Sequence, residues 1–241
     1  MIYFEQVNHY YKHLHTLKDI SVEIGAGESI GIIGPNGAGK STFLKIMASV
    51  LQPREGQVYY EGEPYTACIK RLRKNLGYIP QQIALFEELS VQDQLKFWEK
   101  AAKRRPCKTF MQEMKDVLGL EQVMNQKVRE LSGGWKRKVN VASGLLHDPD
   151  IILLDEPTAG MDLAAKHDLL LWLKHLHDKG KTITIISHDW SVISRLCSRV
   201  LIFQDGQLRF DGGMDELRSF QTTLSEERDQ ELKKILDERT V

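Results

Sequence analysis

Hydrophobic and polar positions change spacing along this chain, and the changes mark its elements. Near the start, apolar residues alternate with polar ones at Ile2 and Phe4 and again at Ile20, Val22 and Ile24. A period of two puts one face of a strand in a core, so this region reads as antiparallel strands. A short apolar run over 29–33 ends in a glycine-rich stretch and is followed by a helical pattern over 43–51. Residues 56–60 read as a further strand, and 76–79 as a short one stopped by Pro80. From Val91 the period lengthens: Val91, Leu95 and Trp98, then Phe110, Met114, Val117 and Leu118, have the spacing of amphipathic helices. Residues 82–146 therefore form a mostly helical subdomain inserted in an α/β core. Residues 151–154 are continuously apolar, as in a parallel strand covered on both faces. A helix with Leu169, Leu170, Leu173 and Leu176, a strand over 182–186, a helix over 190–196 and a strand over 200–203 follow. The fold class is α/β, with a largely parallel sheet, an N-terminal antiparallel β subdomain and the inserted α-helical subdomain. Residues 1–217 read as one domain. Residues 218–241 are a short charged tail with two helical stripes, Leu217, Phe220 and Leu224, then Leu232, Ile235 and Leu236.

Composition narrows the function. The 241 residues are 41% hydrophobic, enough for a sizeable core. With 33 basic and 33 acidic residues the formal net charge is +0, and no nucleic-acid partner is expected. No segment approaches the roughly 18–20 apolar residues of a membrane span, and the N-terminus lacks the apolar core of a signal peptide, so a cytoplasmic location is expected. Cys68, Cys107 and Cys197 are widely spaced and form no CxxC pair, which argues against a zinc site or disulfide framework. His9, His13 and His15 carry no ligand pattern, and the eight histidines read mostly as surface residues.

Three stretches carry chemistry. The first, Gly34-Pro35-Asn36-Gly37-Ala38-Gly39-Lys40-Ser41-Thr42, fits GxxxxGK[ST] between a strand and a helix, the context of a phosphate loop. Its glycines let backbone N–H groups surround an anion, and the positive end of the next helix adds to the field. Lys40 can neutralise the β- and γ-phosphates of a nucleotide, and the Ser41 hydroxyl can ligate Mg2+. In the second, a buried strand ends in Asp155 and Glu156. Asp155 can hold Mg2+; Glu156, pointing elsewhere, can act as general base on a water. The third is Leu131-Ser132-Gly133-Gly134-Trp135, opening a helix that runs to about residue 146. Ser132 is a helix cap in form, and the glycines leave N–H groups open to a second anion.

These elements, together with Leu153-Leu154-Asp155-Glu156-Pro157-Thr158, resemble the ATP-binding-cassette (ABC) ATPases over about residues 2–217. The resemblance implies a phosphate-loop NTPase that binds and hydrolyses ATP with Mg2+. It also implies two cassettes facing head to tail, with Ser132, Gly133 and Gly134 of one capping the ATP of the other. It implies roles for further residues: Tyr11, with Tyr10 as neighbouring candidate, stacking on adenine; Gln81, with Gln82 leaving the register open, sensing Mg2+ and the attacking water; Asp162 reaching across the dimer; and His188 contacting the γ-phosphate. Trp135 departs from the family, where Gln is usual, and its indole offers one donor and no acceptor. The Leu-Ser-Gly-Gly-x-Lys-Arg form is similar to small exporter cassettes with separately encoded permeases. The implied partners are a second cassette, most simply an identical chain, and a membrane permease whose helix docks in a groove lined by residues between Gln81 and Lys103. Ile83, Leu85 and Phe86 form an apolar cluster there, open to docking or to packing between lobes. A soluble ABC ATPase in an assembly pathway such as iron–sulfur cluster biogenesis is the main alternative. A translation or DNA-repair cassette is a third, but the chain has neither the fused second cassette of the former nor the long insertions of the latter.

Overall fold

The computed structural model describes residues 1–102, 104, 107–225 and 229–237. In chain order its elements are β1 (Ile2–Tyr11), β2 (Leu14–Ile24), β3 (Ser29–Ile33), α1 (Lys40–Met47), β4 (Glu55–Tyr60), β5 (Glu63–Pro64), α2 (Tyr65–Asn75), β6 (Leu76–Ile79), α3 (Val91–Ala101), α4 (Lys108–Leu118), α5 (Gly133–Leu145), β7 (Ile151–Asp155), α6 (Leu163–Asp178), β8 (Thr182–Ile186), α7 (Trp190–Leu196), β9 (Arg199–Gln204), β10 (Gln207–Gly213), α8 (Met214–Thr223) and α9 (Gln230–Asp237).

Two sheets carry the fold. One is antiparallel in the order β2-β1-β4-β5, and the other has the order β10-β9-β3-β8-β7-β6. In the second sheet β9, β3, β8, β7 and β6 run parallel, and only β10 is antiparallel. The parallel strands β3, β7 and β8 are buried at every position, as sheets covered on both faces require. One face packs on α1 and the antiparallel sheet, where Phe43 touches Phe4 and Phe203 with ring centroids 4.5 and 5.1 Å apart. The other face packs on the helical region, through Ile79, Leu95, Met114, Leu145 and Leu173.

Several elements differ from the sequence reading. Helix α2 and strand β10 were not evident from spacing: α2 buries only Cys68 and Leu72 among many charges, too thin a stripe to read. The helix expected over 91–103 is observed to Ala101, and Lys103 lies outside the described residues. The helix expected over 43–51 begins earlier, at Lys40, and ends at Met47. His9 is an exception among the histidines, 2% exposed. The chain enters α8 at Met214, before the expected start of the tail, and Leu217, Leu224, Leu232 and Leu236 are buried against the helical-side core. Residues 226–228 and 238–241 of that tail lie outside the described residues.

Strand register positions the site. Ile32 pairs with Ile186, Asp155 also pairs with Ile186, and Ile79 pairs with Leu154. The carboxyl ends of β3, β8, β7 and β6 therefore finish level, and the segments leaving them begin side by side. Ligands of open α/β sheets gather at that edge.

Candidate functional site

A cleft at this edge is lined by Asn36 to Thr42, Gln81, Asp155, Glu156 and His188, with Leu14 and Thr16 of β2 closing one side. The loop between β3 and α1 needs glycine. Gly34 has φ 145°, and a Cβ there would stand 2.0 Å from the Phe203 carbonyl oxygen; Gly39 has φ 101°, and its Cβ would stand 2.5 Å from Thr16 O. Helix α1 has no side-chain cap and no acidic residue in its first turn, so its leading N–H groups are open to an anion. Lys40 is buried and donates to the carbonyls of Gly34 at 2.6 Å and Pro35 at 2.8 Å. Burial lowers its pKa, against the pull of the Glu156 and Asp155 charges. A bound phosphate would compete for that ammonium.

Asp155 is 2% exposed. Burial raises its pKa, while a hydrogen bond from Ser41 and the charges of Lys45, Lys40 and Arg137 lower it. The paired oxygens of Ser41 and Asp155 suit a hard cation. No cluster of three or more His, Cys, Asp or Glu capable of holding a metal occurs among the described residues, so the fit is to an ion such as Mg2+, which takes one or two protein oxygens and completes its shell with phosphate and water. Strand β7 ends at Asp155, and the backbone of Glu156 turns into the left-handed region at φ 51°. That conformation is strained in a non-glycine residue, of the kind that clusters at functional sites. Glu156 donates its N–H to Ile186 O at 3.0 Å, and its Oε1 lies 3.6 Å from His188 Nε2. Oε1 is buried with no hydrogen-bond partner among the described residues. Burial pushes the Glu156 pKa up to about 7, opposed by the His188 backbone N–H and the Lys40 and Arg137 charges. A group near neutrality with an unmet acceptor is suited to take a proton from water.

The signature element is elsewhere. Neither Ser132, Gly133, Gly134 nor Asp162 lines the cleft. Ser132 accepts from Trp135 N at 3.5 Å and caps α5. Gly134 lies against the turn before α6: a Cβ there would be 2.9 Å from Gly160 O. Asp162 caps α6 by accepting from Ala165 N at 2.8 Å. Trp135 packs partly into the core and carries Lys138 Nζ 4.4 Å above its ring.

Tyr11 pairs across the hairpin with Leu14, a residue of the cleft, whereas Tyr10 pairs and stacks with His15 at 4.1 Å. Cross-strand partners share a face, so Tyr11 is on the cleft side and Tyr10 on the other. Tyr11 is 44% exposed and meets His9 edge-on at 4.9 Å. Of the two glutamines, Gln81 lines the cleft and Gln82 does not. Three partners were missed by sequence reading. Lys166 of α6 bonds to Asp189 and Ser191 beside His188. Arg137 and Asn140 of α5 hold the segment after β6. A signal existed for Arg137, which stands at i, i+4, i+8 with the buried Val141 and Leu145.

Comparisons with known proteins agree with this geometry. Residues 17–159 match the family model "ABC transporter". The chain is 30% identical over 226 residues to the linearmycin resistance ATP-binding protein LnrL of Bacillus subtilis (strain 168), covering 91% of this chain and 71% of that protein. It is 33% identical over 213 residues to the Nod factor export ATP-binding protein I of Burkholderia pseudomallei (strain 1710b), covering 87% and 69%. It is 34% identical over 228 residues to the methionine import ATP-binding protein MetN of Clostridioides difficile (strain 630), covering 90% and 70%. Among solved structures, the dimeric bacterial ABC transporter cassette MJ0796 aligns with TM-score 0.80 and 27% identity over 89% of this chain and 99% of that one. Its dimeric post-hydrolysis state, bound to ADP and Pi, aligns with TM-score 0.79 and 26% identity over the same shares.

Proposed function

The chain belongs to the ABC transporter family, as an ATP-binding subunit that hydrolyses ATP, and from that premise we propose that it drives an exporter through the residues gathered at the sheet edge. The carrying observation is the division of the family's motifs. Phosphate loop, Gln81, Asp155, Glu156 and His188 share one cleft, while Ser132, Gly134 and Asp162 stay outside it. Half a site on each chain is what two cassettes meeting head to tail need.

In this reading the N–H groups of residues 36–42 and Lys40 hold the phosphates, and Ser41, Asp155 and Gln81 would hold Mg2+, which when bound would neutralise phosphate charge. Glu156 takes a proton from the attacking water as it adds in line to the γ-phosphorus, while the bond to the bridging oxygen breaks and ADP leaves with its electron pair, giving ADP and phosphate. Lys40 and His188 stabilise charge on the transferring group, and Tyr11 stacks on the adenine. From the partner chain, the Ser132 hydroxyl and the open N–H groups at the start of α5 close over the γ-phosphate. Helix α5 carries Lys136, Arg137 and Lys138 near its N-terminus. Cations are disfavoured at that positive end, and each is engaged there: Lys136 with Glu87, Arg137 with the carbonyls of Pro80 and Gln81, and Lys138 over the Trp135 ring.

The moving partner is a permease. Among the described residues no helix is long and apolar enough to cross a membrane. A groove of about 430 Å³ beside α3 is lined by Tyr78, Pro80, Ala84, Trp98 and His147. Ile83 and Phe86 are exposed near it, 39% and 48%, whereas Leu85 packs on the core. Tyr78 OH, Trp98 Nε1 and Ser143 Oγ are buried there with no hydrogen-bond partner among the described residues. An apolar slot with unmet polar groups suits a short permease helix on the cytoplasmic side of a membrane. The exporter-like signature and the relatives named for export and resistance favour outward transport over the import named for MetN. All three are transporter subunits, which weighs against a soluble assembly ATPase.

Glu156→Gln is the test. It should bind ATP within about twofold of wild type, lose turnover by a hundredfold or more on the scale of removed catalytic bases, and elute as a dimer in ATP. A variant that stays monomeric in ATP would overturn the sandwich, and one that keeps turnover would overturn the role of Glu156. Recovery with a membrane protein from detergent extracts is expected for the exporter reading, and soluble partners alone would sink it.

A further inference from the structure

Arg137 is a buried cation whose charge is felt by Asp155 and Glu156 although neither carboxylate touches it. It is 6% exposed, and among the described residues it makes no salt bridge. Its guanidinium instead donates to two successive carbonyls, Nη1 to Pro80 O at 3.1 Å and Nη2 to Gln81 O at 2.8 Å. One turn along α5, Asn140 donates to Pro80 O at 3.4 Å and accepts from Ala84 N at 3.2 Å. Lys136, just before Arg137, pairs with Glu87 at 3.1 Å. Helix α5 thus grips the segment 80–87 at several points, and its rigid first turns carry Ser132 and Gly134 at one end.

Desolvating a guanidinium is costly, the more so here because Arg137 Nε is buried with no hydrogen-bond partner among the described residues, and apolar residues of similar volume often replace buried ions without loss of stability. Packing alone therefore does not call for arginine here. A planar fork that fixes two carbonyls at once does, and no lysine or amide can copy it. The loop it fixes is the one that carries Gln81 into the cleft.

We propose that Arg137 is a positioning residue that makes the signature helix and the Gln81 loop move as one body, so that docking of Ser132 and Gly134 on one nucleotide sets the placement of Gln81 at the other. The proposal rests on the site assignments made above for Gln81 and Ser132. Without the fork, the dimer would still close on ATP, but Gln81 would no longer be held where the attacking water is ordered. Binding and turnover would separate.

Arg137→Met and Arg137→Lys, both in the full chain, test this. Turnover is measured against ATP concentration, and ATP-dependent dimerisation is measured with each substitution placed in the Glu156→Gln background. Arg137→Met should lose at least about tenfold in kcat with KM for ATP within about twofold, the pattern of an interaction made in the transition state. Arg137→Lys, which keeps the charge but cannot hold both carbonyls, should recover only part of that loss. Both should still dimerise in ATP when Glu156 is Gln. Wild-type kcat in Arg137→Met would overturn the proposal. So would failure of the double variant to dimerise, which would assign Arg137 to nucleotide contact by the signature. If Arg137→Met does not fold, Arg137→Lys decides alone, and full activity in it overturns the proposal. Turnover retained by Glu156→Gln itself would instead reject the underlying site assignment, whatever Arg137 does.

Discussion

At the scale of single residues, burial sets the chemistry. Glu156 is raised toward neutrality mainly by desolvation, with the neighbouring Asp155 charge adding to it. His147 shows the same force on a base. Its Nε2 lies 3.1 Å from Leu76 O, the geometry of a donated hydrogen bond, and burial lowers its pKa below 6.5, aided by Arg104 and Lys181 and opposed by that bond and by Asp148. Above 6.5 the ring is neutral in both folded and unfolded chains, and its contribution is fully present. As pH falls through and below 6.5 the unfolded chain takes up the proton first, so stability is lost on the acid side. His147→Gln keeps a donor to Leu76 and cannot titrate. On lowering the pH from about 7.5 to about 5.5, wild type should lose Tm relative to the variant. Parallel melting curves would reject the assignment.

At the scale of elements, the phosphate loop depends on how α1 begins. Gly39 precedes the helix at φ 101°, pressed against Thr16 of β2. Gly39→Ala should cost about 1–3 kcal/mol in stability through backbone strain. It should also weaken ATP binding by at least tenfold, about 1.4 kcal/mol, because relief requires the loop to leave the β2 wall. Titration with a fluorescent ATP analogue and thermal melting check both. If binding survives unchanged, the loop does not need its present shape. The sequence exposed the loop itself, since the Gly-Lys-Ser spacing is a backbone instruction, but placed the helical pattern over 43–51 where α1 begins at Lys40. It did not expose α2, where two buried residues among lysines and arginines leave almost no periodic signal.

At the scale of the whole molecule, the question is which residues of one chain serve one nucleotide. Ser132→Arg should bind ATP as the isolated chain but not hydrolyse it, and Lys40→Ala should fail to hold the phosphates. Mixed in equal amounts, the two inactive chains should regain turnover, up to about a quarter of wild type for random pairing in a two-fold dimer. Half the dimers then carry one site with both halves intact. A mixture as inactive as its parts would show that the signature acts only as a helix cap within its own chain.

The sequence by itself determined most of the order of strands and helices, α2 and β10 apart, and the identity of the phosphate-binding stretches. Those depend on local rules: periodicity, glycine where φ is positive, charge at a strand end. The register among β3, β8, β7 and β6 belonged to the tertiary structure, because pairing partners lie up to about 150 residues apart, as Ile30 and Thr184 do. That register is what collects Lys40, Gln81, Asp155, Glu156 and His188 while leaving Ser132 outside. Packing also puts Tyr11 opposite Leu14 and Tyr10 opposite His15, and brings Gln81 but not Gln82 to the cleft, since which side of a strand or loop meets a cleft depends on what packs opposite. The role of Arg137 was the least legible: in sequence it is one of three consecutive cations, and only packing turned it inward, against the carbonyls of a distant loop.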